Sequence, residues 1–139
     1  MLSLTYHQKN KIREFLKESI PGIELIYLFV GMTEEANNRD SDIDLAFLSQ
    51  EKISNVQRFD IQEKLASILN KNVDLVDVKL TSTKLNFQIV WQGILIYSIN
   101  EKRKSDFELS ATGQYFDYKM TMEPIFGQIF SKGIMDVNN

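Results

Sequence analysis

The order of apolar and polar positions along the chain predicts alternating helices and strands. From about Thr5 to Ser19, Ile12, Phe15, Leu16 and Ile20 recur at helical spacing among lysines and glutamates, and Pro21-Gly22 stops the pattern. Ile23 to Phe29 is apolar on both faces except at Glu24, as in an interior strand covered by helices. Residues 31–41 lack periodicity and hold the turn sequence Asn37-Asn38-Arg39-Asp40. Asp42 to Leu48 predicts a second strand, with Ile43, Leu45 and Phe47 on the face opposite its two acids. Ser54 is the expected N-cap of a helix over Asn55 to Leu69, whose stripe reads Val56, Phe59, Leu65, Ile68 and Leu69.

Asn72 to Lys79 predicts a third strand. Thr81 or Ser82 caps a helix reaching about Gln92, with Leu85, Ile89 and Val90 inward and Gly93 as its stop. Ile94 to Ile99 predicts a fourth strand. Glu101 to Lys104 reads as a charged break. Beyond it lies a helical tail over about residues 105–133, interrupted at Gly113 and Pro124, with fraying from Asp136 to Asn139. This order implies a single α+β domain over residues 1–139. Its core, about residues 1–100, is a mixed sheet of about four strands with helices mainly on one face and an open cleft on the other.

Composition narrows the function classes. A 139-residue chain that is 43% hydrophobic can build one core without covalent staples, and it contains no cysteine for disulfides or thiolate metal sites. A net charge of −3 argues against a chain-wide nucleic-acid footprint, so no direct nucleic-acid binding is expected. The N-terminal MLSLTYHQKNKIREF has no apolar core of a secretory signal, and no apolar run approaches the ~20 residues that span a bilayer. These features predict a cytoplasmic protein with no membrane association. His7, alone in the first helical turn, reads as a surface residue.

The candidate chemistry is acidic. Asp42 and Asp44 are two apart on a predicted strand, so they share a face with Cα atoms about 6.6 Å apart. Asp74 lies within the third strand, where a carboxylate is costly to bury unless paired or metal-bound. Three carboxylates of this kind suit a hard divalent cation such as Mg²⁺. Asp77 points away from Asp74 and reads as a solvated or capping acid.

The order strand, loop, S-D-I-D-L strand, helix, V-D-L-V strand resembles the minimal nucleotidyltransferases of the DNA polymerase β-like superfamily. The short length and the tail QYFDYKMTMEPIFGQIF narrow the resemblance to the MNT antitoxins that accompany HEPN ribonuclease toxins. The resemblance implies a two-metal transfer that uses Mg²⁺ and ATP, with Asp42 and Asp44 as metal ligands and Asp74 as the third acid, assisting deprotonation of the nucleophile. It also implies transfer of AMP to a tyrosine of a HEPN toxin partner, which would be contacted through Tyr115, Phe116, Tyr118 and the helical tail.

At the phosphate loop the chain departs from the family pattern. The family's Gly-Ser pair falls on Val30-Gly31, or on Gly31-Met32 if the register slides by one, so the serine hydroxyl is missing. Thr33 is the nearest substitute, making Val30, Gly31, Met32 and Thr33 the candidate ATP-binding residues. Glu34 and Glu35 add negative charge there, and Arg39 is the one cation between Gly31 and Asp42. The sequence therefore supports two readings, a toxin adenylyltransferase and a catalytically weakened fold that neutralises its toxin by binding. A third, a small-molecule nucleotidyltransferase, would need a substrate domain for which the chain has little length.

Overall fold

The computed structural model describes residues 4–29 and 42–131, with side chains up to residue 125. Its elements are α1 (Tyr6–Ser19), β1 (Ile23–Phe29), β2 (Ile43–Ser49), α2 (Asn55–Leu69), β3 (Val73–Asp77), α3 (Thr83–Gln92), β4 (Ile94–Ser98) and α4 (Glu101–Ser131). The helix starts follow from local chemistry. Thr5 with Gln8 and Ser54 with Gln57 each form a capping box, in which side chain and backbone satisfy each other's free donors. Ser82 caps α3 by accepting from the Leu85 N–H, and Asn70 ends α2 in the left-handed conformation that asparagine tolerates.

The four strands form one mixed sheet in the order β3-β2-β1-β4. β1 is antiparallel to both β2 and β4, whereas β2 and β3 are parallel. A parallel pair cannot be closed by a hairpin, and α2 is the crossover that joins these two strands. One face of the sheet, with Ile26, Ile43, Leu45 and Phe47, packs on Ile12 and Leu16 of α1 and Leu65 of α2. The other, with Leu25, Tyr27, Ala46 and Leu48, packs on Leu85 and Ile89 of α3 and on Phe107 of α4.

Helices thus cover both faces, which corrects the expectation of an open second face. The reason lies at Gly93, where α3 turns directly into β4. A Cβ there would sit 2.3 Å from the Ile89 carbonyl oxygen and 3.1 Å from that of Leu28. Only glycine permits so close an approach, and it folds α3 back against β1.

Two other expectations change. On α2 the buried residues are Ile61, Gln62, Leu65 and Leu69, while Val56 is 81% exposed and Phe59 and Ile68 are also exposed. The inward face includes a glutamine because Gln62 Oε1 accepts from the Leu75 N–H at 2.9 Å, and Arg58 donates to the Leu75 carbonyl at 2.8 Å. Together they satisfy the N–H and carbonyl of Leu75 on edge strand β3, a place where open pairing groups invite aggregation.

The charged run Glu101 to Lys104 is not a break but the first turn of α4. Asn100 Oδ1 accepts from the Arg103 N–H at 2.7 Å, Arg103 pairs with Glu24 at 2.8 Å, and Lys104 reaches Glu108 at 3.2 Å. The helix then runs through Gly113, which costs about 1 kcal/mol relative to alanine but removes no hydrogen bond. Pro124 lies inside it as well.

Gly93→Ala should destabilise the protein by about 1–3 kcal/mol, the usual range for forcing extra atoms into a packed site. Urea unfolding midpoints test this; an unchanged midpoint would mean the α3–β4 turn relaxes freely.

Candidate functional site

The parallel register of β2 and β3 sets Asp44 beside Asp74. Adjacent strands lie about 4.8 Å apart, so two carboxylates that are distant in sequence become neighbours. Asp44 is only 9% exposed and Asp74 is half-buried. Burial raises the proton affinity of Asp74, the negative charge of Asp44 raises it further, and Arg58 partly offsets both. The pair lies where the chain leaves β1, because Phe29, the last residue of that strand, is opposite Asp44.

Asp42 is not brought into this pair. It sits exposed just before β2, where its N–H donates to the Asn72 carbonyl at 2.9 Å and its Oδ2 accepts from the Asn72 N–H at 3.1 Å. That reciprocal contact pins the start of β2 to the start of β3. Among the described residues, no group of three or more acidic or histidine side chains is arranged to hold a metal ion.

The donor chemistry nevertheless fits a hard divalent cation. Asp44 and Asp74 repel one another in a partly desolvated setting, and a cation between them would remove that repulsion. Asp42 accepts the Asn72 amide through Oδ2 alone, which leaves Oδ1 as the oxygen it could offer a cation as third ligand. Asp77 is buried, and its carboxylate accepts from the Lys79 N–H at 3.0 Å. It caps the turn after β3, as one of its two expected roles required.

The candidate phosphate-loop residues Val30, Gly31, Met32 and Thr33 lie outside the described residues, as do Glu34, Glu35 and Arg39. In the tail, Tyr115 stacks on Phe87 of α3 with ring centroids 4.1 Å apart, whereas Phe116 and Tyr118 are exposed. His7 is exposed in the first turn of α1.

Sequence reasoning missed Arg58, the cation nearest this chemistry that the structure reveals. Its signal was available: with Gln62 it forms an i, i+4 polar pair next to the buried Ile61 and Leu65, a position where a solvated pair would not be expected.

Comparison with known proteins adds a context that the geometry alone lacks. Residues 10–102 match the family described as Polymerase beta, Nucleotidyltransferase. The chain is similar to the protein adenylyltransferase MntA of Shewanella oneidensis, 44% identical over 85 residues that span 61% of each protein. It is also similar to a chain in the solved structure of a tri-AMPylated Shewanella oneidensis HEPN toxin in complex with its MNT antitoxin. That match has 30% identity and a TM-score of 0.75, and covers 89% of this chain and 97% of the other. A toxin-antitoxin structure with AMP-PNP gives 33% identity, coverage of 88% and 98%, and a TM-score of 0.74.

Because folded Asp74 holds its proton to higher pH than an unfolded aspartate, the folded state is penalised as pH rises through that window and not below it. Asp74→Asn should therefore raise the melting temperature of metal-free protein at neutral pH. The gain should shrink as pH falls toward the ordinary value of 3.8. Melts in chelator across that range check this, and a lower melting temperature at pH 7 would count against mutual repulsion of the two acids.

Proposed function

The chain belongs to the polymerase beta nucleotidyltransferase family, and on that premise we propose that it is an MNT antitoxin that transfers AMP from ATP to a tyrosine of a HEPN toxin. The observation that carries this reading is the Asp44–Asp74 pair on adjacent parallel strands, at the end of the sheet where the chain leaves β1. Support comes from the adenylyltransferase name of one similar protein, and from the AMPylated toxin and the ATP analogue in the two similar complexes.

In the proposed reaction the tyrosine oxygen attacks the α-phosphorus of ATP. A new oxygen–phosphorus bond forms, the bond to the β-phosphate oxygen breaks, and pyrophosphate leaves. Asp74, beside Asp44 on the adjacent strand, is proposed to accept the phenolic proton. Arg58 opposes the rise in its proton affinity. When bound, Mg²⁺ held by Asp42, Asp44 and Asp74 would neutralise the acids and polarise the phosphate oxygens. Val30, Gly31, Met32 and Thr33 are proposed to supply the backbone and hydroxyl contacts to the triphosphate.

A second reading, neutralisation by binding alone, is favoured by one observation. Asp42 bonds to the Asn72 amide instead of meeting the other two acids.

Incubation with α-labelled ATP, Mg²⁺ and HEPN toxin separates the two readings. The enzyme reading expects label on the toxin, lost with chelator and reduced at least ~100-fold by Asp44→Asn, the upper end of what an outer-shell metal partner costs. An unlabelled toxin that is nonetheless bound and inhibited would overturn catalysis in favour of binding.

A further inference from the structure

Resting on the adenylyltransferase reading, we propose that the toxin docks on one flank of α4, formed by Leu109, Gly113, Phe116 and Met120, together with Trp91 at the end of α3. The four α4 positions are spaced i, i+4, i+7 and i+11, so they lie along one side of the helix. Leu109 is 73% exposed, Met120 76% and Trp91 63%, and Phe116 is also exposed. Trp91 is held in place by its indole N–H, which donates to the Thr112 hydroxyl at 3.3 Å. Between the two helices lies a cleft of about 520 Å³ lined by Val90, Trp91, Ser105, Glu108, Leu109 and Thr112. Large exposed apolar side chains aligned on one flank and flanking a cleft with a polar rim suit an interaction site.

Gly113 adds a specific feature. A Cβ built there meets no atom within 4 Å. Among the described residues nothing needs this glycine, which is unfavourable in a helix. A partner backbone approaching the flank closely would need it, as small residues permit in helix packing.

The position of the flank names the partner. Trp91 lies two residues before Gly93, which closes against Leu28. Leu28 pairs with Ile94, and its neighbour Phe29 pairs with Asp44. The Trp91 end of the surface thus lies at the acid end of the sheet, where an acceptor tyrosine must arrive. A second copy of this chain seated there would occupy that approach. The family match ends at residue 102, yet the similar chain from the toxin complex covers 89% of this chain. Part of α4 is therefore shared with a protein solved in a toxin complex while lying outside the nucleotidyltransferase domain. Leu, Phe, Met and Trp carry no charge, and Glu108 at the cleft is already paired with Lys104, so the matching toxin surface is mainly apolar and binding should depend little on salt.

The test uses full-length protein with HEPN toxin, comparing wild type, Gly113→Leu and the double variant Leu109→Glu, Met120→Glu. Each variant should weaken toxin affinity by at least ~10-fold, since each disturbs contacts of hot-spot size, and should raise the KM for toxin while leaving AMP-PNP affinity unchanged. Gly113→Leu should not lower the melting temperature, which separates lost docking from lost folding. Wild-type toxin affinity in both variants would overturn the docking surface while leaving the adenylyltransferase reading intact. Conversion of a wild-type dimer to monomers without change in toxin affinity would assign the flank to self-association and also overturn it. A wild type that neither binds nor labels the toxin would overturn both.

Discussion

Two like charges held side by side are the constraint on which the rest of this structure depends. Asp44 and Asp74 meet because β2 and β3 run parallel in register, and they run parallel because α2 carries the chain back across the sheet between them. Such an arrangement works against stability on its own. The neighbouring charge and the burial both favour the protonated form of Asp74. Around it the protein places compensating polar contacts. Arg58 contributes positive charge, and the same residue with Gln62 ties α2 to the backbone of Leu75. The helix that creates the parallel pair therefore also secures its outer edge.

The second layer of helices positions chemistry rather than merely covering the sheet. Gly93 turns α3 into β4 at the acid end, and α4 is anchored farther back. Arg103 pairs with Glu24, and the buried hydroxyl of Tyr27 donates to Glu108 at 2.8 Å. That phenol is held firmly protonated by burial and by the glutamate it bonds. With one end anchored to β1 and its middle stacked through Tyr115 on Phe87, α4 is tied to the sheet that carries the carboxylates. Such ties suit a transfer that requires the acceptor oxygen and the phosphorus to be aligned.

Much of this was legible in the residues. The strands at Ile23 and Ile43, the cap at Ser54, the cap of α3 as one of Thr81 or Ser82, and the stop at Gly93 each rest on interactions between residues close in sequence. Local chemistry cannot reveal which helical face meets the sheet when the inward face is partly polar. On α2 the hydropathy pattern favoured Val56, Phe59 and Ile68, but Gln62 turns inward because it bonds an edge strand that lies 13 residues away. The same limit hid Arg58. It also turned the first turn of α4 into an apparent break, since the partner of Arg103 is Glu24, 79 residues earlier.

By itself the sequence determined the element order, the presence of acids two apart on one strand and a third on another, and the resemblance to minimal nucleotidyltransferases, because periodicity, caps and turn residues act over a few positions. Only the tertiary structure decided that Asp44 and Asp74 become neighbours while Asp42 turns to Asn72, that helices cover both faces of the sheet, and that Tyr115 packs inward while Phe116 and Tyr118 stay exposed. Those outcomes depend on strand register and on which distant backbone groups remain to be paired, and neither is encoded within any short window of the chain.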